Sequence, residues 1–388
     1  MAANQTGTYR NLLAEIGIPE TEIENRIHDA VQTFFYDETE RIYHEAGEDM
    51  GYLVDTGNID ARTEGMSYGM MMCVQLNMQE EFDRIWKWAK TYMFMEDGEN
   101  EGYFAWSCGL DGTKNAYGPA PDGEEFFAMA LFFASHRWGN KEGIFDYEKE
   151  AKTILKACLH KGENGRPGCP MWNHDNHQIL FVPGSGHTDP SYHLPHFYEL
   201  FAKWADEEDR PFWEEAVKAS REYLVKACHP ETGMCSEYAH FDGTPVSEDL
   251  PWGNFGDFFS DAYRTAANIG LDAEWFGEER ENAAKLSDIP MRMMKFFGTD
   301  LEAVRCAYHI DGGAMERPVL HPLGLLSTMA QSALCVPYSE KEGSDFEIAK
   351  KWVLWWWNQP MRKGVRRYYD NCLYLFALLS LSGNYRIY

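Results

Sequence analysis

The sequence predicts an all-α fold of helical hairpins, on three observations. Apolar residues recur at helical spacing along most of the chain. Strand-like alternation is scarce, and there is neither a strand–helix–strand rhythm nor a phosphate-cradling glycine loop. Turn-forming clusters punctuate the periodic segments, at DTGN 55–58, DGEN 97–100, PAPDG 119–123, ENGRPG 163–168, HPETG 229–233 and SGN 382–384. About a dozen helices of ordinary length, with their loops, use up such a chain.

Taken in order, Ile23, Ile27, Ala30, Val31 and Phe34 form one apolar stripe behind Pro19, a residue suited to a first helical turn. Met66, Met70, Cys73, Val74 and Leu76 form the next, just after Glu64. A helix over 126–134 follows from Phe126, Ala130, Phe133 and Ala134. Leu194, Phe197, Phe201 and Trp204 mark one between His193 and Ala205, and Trp213, Ala216, Ala219 and Leu224 the one after it. The tryptophans between Lys351 and Trp357 could form a carbohydrate-binding face, but core packing of the penultimate helix explains them better. Leu373, Phe376, Ala377 and Leu381 close the series. No low-complexity linker or long charge block divides the chain, so residues 1–388 read as a single domain. There is no clear internal repeat, so a closed ring of helices does not follow from periodicity.

The net charge of -27 sets the partners apart. Such a surface repels nucleic acid and anionic membranes, and a neutral substrate suits it better than an acidic one. No stretch of about 18 apolar residues is present, so no membrane span is expected. MAANQTGTYR has no basic segment leading into an apolar one, so no secretory signal is visible. The nine cysteines are scattered, odd in number and without a C-x-x-C pair. They read as reduced thiols, which makes a cytoplasmic location the expectation. Aromatic residues make up 15% of the chain, enough to stack on sugars as well as to fill a core.

Three carboxylates stand out. Glu64, in RTEGMSYG, lies where a turn-rich stretch passes into an apolar helix. A helix N-terminus favours a negative charge there, whereas a general acid needs its pKa raised. Desolvation by Tyr68 and Trp106, or a second carboxylate nearby, would have to prevail. Asp122, in GPAPDGEE, sits in a turn before the 126–134 helix, and turn or N-cap residue is its plain structural role. Asp261, in FFSDAYR, lies between aromatics and close to Arg264. It is either half of a structural ion pair or an ionised base held low in pKa by that arginine. His174 and His177, and His193 and His196, have the spacing of a metal pair but lack a third ligand. No metal and no organic cofactor is expected.

The motifs RTEGMSYGMMM, YFAWSC with DGTKN, APDGEE, DPSYHLPHFYELF, FFSDAYR and RRYYDNCLYLFALLSLSGN, in that order, resemble family 8 glycoside hydrolases. The resemblance runs from about Tyr52 to the C-terminus, and within the family it is nearest to the reducing-end xylose-releasing exo-oligoxylanases. It implies an (α/α)6 barrel and hydrolysis with inversion on xylo-oligosaccharides. Matched motif by motif, it makes Glu64 the general acid, Asp261 the general base, and Asp122 a residue holding the distorted sugar. Trp106 corresponds to a sugar-stacking platform. Tyr192, Arg264, Tyr368 and Tyr369 match positions near the cleft. The segment from Val319 to Leu323 resembles a loop that closes the reducing-end side, with His321 hydrogen-bonding the terminal hydroxyl. Endo-acting members (glucanases, chitosanases, xylanases) leave that side open. A non-catalytic oligosaccharide-binding protein, or another (α/α)6 enzyme such as a sugar epimerase, is the remaining alternative. Oligomeric state is left open.

Overall fold

The structure, a computed structural model, describes residues 2–248, 250–298, 307–317 and 320–388. Cys306 and Val319 lie outside the described residues. Two single helical turns, α1 (Ala3–Thr6) and α2 (Leu12–Glu15), precede α3 (Glu20–Val31). Five helical pairs follow: α4 (Thr63–Leu76) with α5 (Gln79–Trp88), α6 (Pro121–Trp138) with α7 (Tyr147–His160), α8 (Pro195–Trp204) with α9 (Arg210–Ala227), α10 (Tyr263–Phe276) with α11 (Ala283–Phe297), and α12 (Pro322–Ser332) with α13 (Ser344–Trp357). Helix α14 (Arg367–Leu381) ends the set and packs beside α3.

The even-numbered helices from α4 to α14 form a closed inner ring. Each touches the next, and α14 returns to α4. The odd-numbered helices from α3 to α13 lie outside them, which makes an (α/α)6 barrel. The sequence explains the division. The inner helices are buried on nearly every face: α4 from Thr63 to Gln75 apart from Glu64, and α14 from Tyr368 to Leu381. The outer helices bury one stripe, as α7 does with Tyr147, Ala151, Ile154, Leu155, Cys158 and Leu159. The tryptophan-rich 351–357 segment belongs to outer helix α13. Its Trp352 and Trp356 are fully buried, and the Trp356 indole N–H donates to Ser327 Oγ on α12 at 3.1 Å, so it is core as expected.

The helices mostly run longer than their stripes indicated, and one difference matters. Helix α6 begins at Pro121, so Asp122 is not in a turn before the helix but inside its first turn and buried. Pro121, Pro195 and Pro322 each open an inner helix, where a missing N–H costs nothing. Four short strands pair as Tyr43–Ala46 with Met50–Leu53 and Ala61–Arg62 with Ser107–Cys108. The second pair sits at the start of α4. All eight described cysteines are free thiols, and no described helix is long and apolar enough to cross a membrane.

Two inner helices approach closely at a glycine. A Cβ at Gly270 on α10 would stand 2.7 Å from the Gln331 carbonyl oxygen and 2.8 Å from Ser332 Cα, both backbone of α12. Backbone cannot rotate away, so Gly270→Ala should destabilise the barrel by about 1–3 kcal/mol. Denaturant unfolding would measure it. An unchanged midpoint would mean that the α10–α12 approach is looser than described.

Candidate active site

All six inner helices begin at one rim, and their first turns or the residues just before them line a cleft of about 670 Å3. Thr63 and Glu64 come from α4, Asp122 from α6, Tyr192 from the turn before α8, Asp261 and Arg264 from the start of α10, His321 from the residue before α12, and Tyr368 and Tyr369 from α14. Trp106 lines the same cleft from the loop that pairs with the start of α4, where its carbonyl accepts from the Thr63 N–H. The cleft thus brings together Glu64, Trp106, Asp122, Tyr192, Asp261, Arg264, His321, Tyr368 and Tyr369, including pairs 200 and 304 positions apart.

Arg264 is the hub. Its guanidinium, 5% exposed, contacts four carboxylates. One Nη donates to Glu64 Oε2 at 2.9 Å and to Asp122 Oδ2 at 3.2 Å. The other lies 3.6 Å from Asp189 and 3.8 Å from Asp261. Tyr68 Oη and Ser191 Oγ accept two more bonds, each at 3.2 Å. Glu64 and Asp261 both meet this group. Their contacting oxygens therefore lie no further apart than roughly 9 Å, an upper bound that does not exceed the separation of roughly 6.5–9.5 Å at which two carboxyls act on one glycosidic bond with a water between.

Burial decides the conflict at Glu64. Desolvation pushes its carboxyl up to about 7, with Asp122 and Asp261 adding to the rise. Arg264 and the Tyr368 hydroxyl, which donates to Oε1 at 2.9 Å, oppose it without winning. Asp122 is raised to about 6 by burial, against Arg264, even though Oδ1 accepts from the Gly123 N–H. Asp261 is the most solvent-open of the four, with its side chain 39% exposed. The arrangement therefore sets a carboxyl raised to near neutrality and a solvent-open one on the same guanidinium.

The remaining expected residues form the walls. Trp106 presents an indole 37% exposed, with the Arg62 guanidinium 5.2 Å from its ring centre. Tyr192 packs against Phe181 at 6.0 Å and against the Arg264 guanidinium. Tyr369 donates to the Ser260 carbonyl, next to Asp261. His321 lines the cleft, its ring edge-on to Tyr369 at 4.9 Å. The paired histidines lie apart from the cleft. His193 bonds Ser220 and Thr188, His196 is buried and pushed down to about 3, and His174 bonds the Leu159 carbonyl.

Sequence reasoning missed Asp189 and Glu237. Asp189 is fully buried, caps the turn Pro190–Tyr192 through the Ser191 N–H, and is raised to about 8 by burial. It stands in the DPSYH motif directly before a proline, a signal that was available. Glu237 is buried beside Asp261 and raised to about 9, and only the fold reveals that proximity. Phe181, Tyr238 and Trp252 complete the aromatic lining.

The chain belongs to glycosyl hydrolases family 8, whose model matches residues 48–302. It is a glycoside hydrolase. More particularly, it is 54% identical over 385 residues to the reducing end xylose-releasing exo-oligoxylanase of Halalkalibacterium halodurans, covering 99% of this chain and 95% of that one. It is 52% identical to the reducing-end xylose-releasing exo-oligoxylanase Rex8A of Paenibacillus barcinonensis, covering 100% of this chain and 98% of the relative. The solved structure of Rex8A complexed with xylose superposes with a TM-score of 0.94 at 51% identity, covering both chains completely.

Buried acids raised in this way make stability pH-dependent. Glu124, fully buried beneath the rim, is carried by desolvation from 4.5 to about 8, although one oxygen accepts from the Phe104 N–H at 2.9 Å. The folded state keeps a proton there that the unfolded chain gives up. Its contribution is therefore complete below the unfolded value and is lost as pH rises towards about 8. Denaturant midpoints should fall between about pH 5 and about pH 8, and Glu124→Gln should flatten that slope while keeping the acceptor for Phe104. A midpoint that rises with pH would contradict the burial assignment.

Proposed function

We propose that this chain is a single catalytic domain that releases xylose, with inversion, from the reducing end of β-1,4-xylo-oligosaccharides. The observation that carries the proposal is the Arg264 hub, where a carboxyl near neutrality and a solvent-open carboxylate share one guanidinium. The single-domain reading is supported by ring closure, because the late helix α14 packs on the early helices α3 and α4. The substrate reading is supported by the names of the two relatives matched over nearly their full lengths.

In this mechanism Glu64, protonated near neutral pH, gives its proton to the glycosidic oxygen, which is a poor leaving group until protonated. Asp261 takes a proton from water on the opposite face of the sugar, and that water attacks the anomeric carbon. Inversion follows because attack and departure occur on opposite faces in one step. Asp122, held by Arg264 and the Gly123 N–H, accepts from a hydroxyl of the sugar at the cleaved bond. Trp106 supplies a flat apolar face against the ring. His321 closes the reducing-end side, so one sugar fits beyond the scissile bond and long polymers are handled poorly. That suits a cytoplasmic enzyme acting on imported oligomers.

Xylotriose labelled at its reducing end should yield labelled xylose and unlabelled xylobiose as first products. Early unlabelled xylose would refute the direction of attack. Glu64→Gln and Asp261→Asn should each lower kcat by about 10²–10⁴-fold while leaving the unfolding midpoint near wild type. Activity should decline as pH rises through about 7, where the acid loses its proton. Tyr368→Phe removes a bond that favours ionised Glu64, so it should move that alkaline limb upward. A downward shift would exclude Glu64 as the group reported.

A further inference from the structure

We propose that Asp370, gripped by Arg362, is a positioning residue that sets the tautomer of His321 and so makes the closed end of the cleft a reader of a free reducing-end hydroxyl. The inference rests on the reducing-end reading given above.

Asp370 follows Tyr368 and Tyr369 in the first turn of α14, but it points away from the cleft and is wholly buried. Three donors converge on its carboxylate. The Gly324 N–H, in the first turn of α12, bonds Oδ1. Arg362 and His321 Nδ1 share Oδ2, the histidine at 3.3 Å. The same Arg362 Nη also donates to the Leu320 carbonyl, next to His321 in the chain. Arg362 is itself held in place. Its N–H donates to Asn371 Oδ1 at 2.8 Å, and the Asn371 amide returns a bond to the Arg362 carbonyl at 2.9 Å. One turn of α14 therefore holds both the backbone and the ring of the cleft wall.

The chemistry settles the ring nitrogens. An ionised carboxylate only accepts, so the histidine nitrogen facing it carries the proton. In the neutral ring Nε2, the nitrogen away from Asp370 on a residue that lines the cleft, is then a bare acceptor, with Tyr369 edge-on to the ring. A free anomeric hydroxyl donates to that acceptor, whereas an alkylated anomeric oxygen cannot. The opposite tautomer would set two acceptors face to face across the buried contact. Asparagine at 370 breaks the arrangement, because its single oxygen can occupy only one of the two carboxylate positions. At the Oδ1 position it keeps Gly324 and turns an amide N–H on both Arg362 and His321; at the Oδ2 position it sets that N–H against the Gly324 N–H. Either way the charged acceptor that holds the proton on Nδ1 is lost.

The test compares xylotriose with methyl β-xylotrioside, whose reducing end is capped. Wild type should favour the free sugar in kcat/KM, and Asp370→Asn should cut that preference by about ten- to a hundred-fold, chiefly by raising KM for xylotriose, with little change for the capped sugar. Equal losses on both substrates would mean a merely structural role and would overturn the proposal. Wild type that does not distinguish the two sugars refutes the reducing-end reading itself, and the proposal with it. Wild type that discriminates alongside an equally discriminating Asp370→Asn refutes the proposal alone. Imidazole ¹⁵N spectra of the wild-type enzyme, with His321→Ala assigning the resonance, need no Asp370 variant to fold. A protonated Nδ1 and a bare Nε2 are expected, and the reverse pattern overturns the proposal.

Discussion

The arrangement of the rim depends on one buried cation. Arg264 contacts Glu64, Asp122, Asp189 and Asp261, four acids drawn from four stretches of chain that meet only in the folded barrel. Four carboxylates this close, out of water, could not all ionise without a counter-charge. A single guanidinium does not neutralise four of them either. The surplus is resolved by protonation, as the raised values at Glu64, Asp122 and Asp189 show. Burial is the first cause of that rise, and one guanidinium among four carboxyls is too little to cancel it, so Glu64 is held near neutrality. A second cation in the hub would weaken that device.

A second buried arginine makes the contrast. Arg221 on α9 is fully buried and bonds Asp272, Glu199 and Glu281, tying α9 to its neighbours far from the cleft. Two of its three partners are partly exposed, so water screens the surplus there. At Arg264 the partners are nearly all enclosed, and the walls are aromatic. The same residue type thus stitches helices in one place and tunes acids in the other, and the dryness of the surroundings decides which.

The barrel's polarity supplies the rest. All six inner helices present their N-terminal ends to the cleft, where backbone N–H groups and the helix dipoles favour negative charge. Desolvation works in the opposite sense, and at Glu64 it prevails. A carboxyl at a helix start was legible from RTEGMSYG, as was the conflict between dipole and burial. The winner was not, because the burial of that carboxyl depends on Arg264 and Tyr368 arriving from elsewhere in the chain. Asp122 shows the same limit on a smaller scale, since its motif reads as a turn while the structure places it in the first turn of α6, with the next residue, Gly123, close against Thr63.

By itself the sequence determined the helical class, the apolar segments that became the inner helices, and the motifs that mark the family. Each is a local pattern, set by spacing along the chain and by the chemistry of neighbouring residues. Ring closure, the convergence of residues 64, 122, 189 and 261 on one guanidinium, the hidden partners Asp189 and Glu237, and the Asp370–Arg362 grip on His321 were decided only by tertiary structure. They are relations between residues distant in sequence, and burial, distance and the resulting proton affinities exist only once the helices have packed.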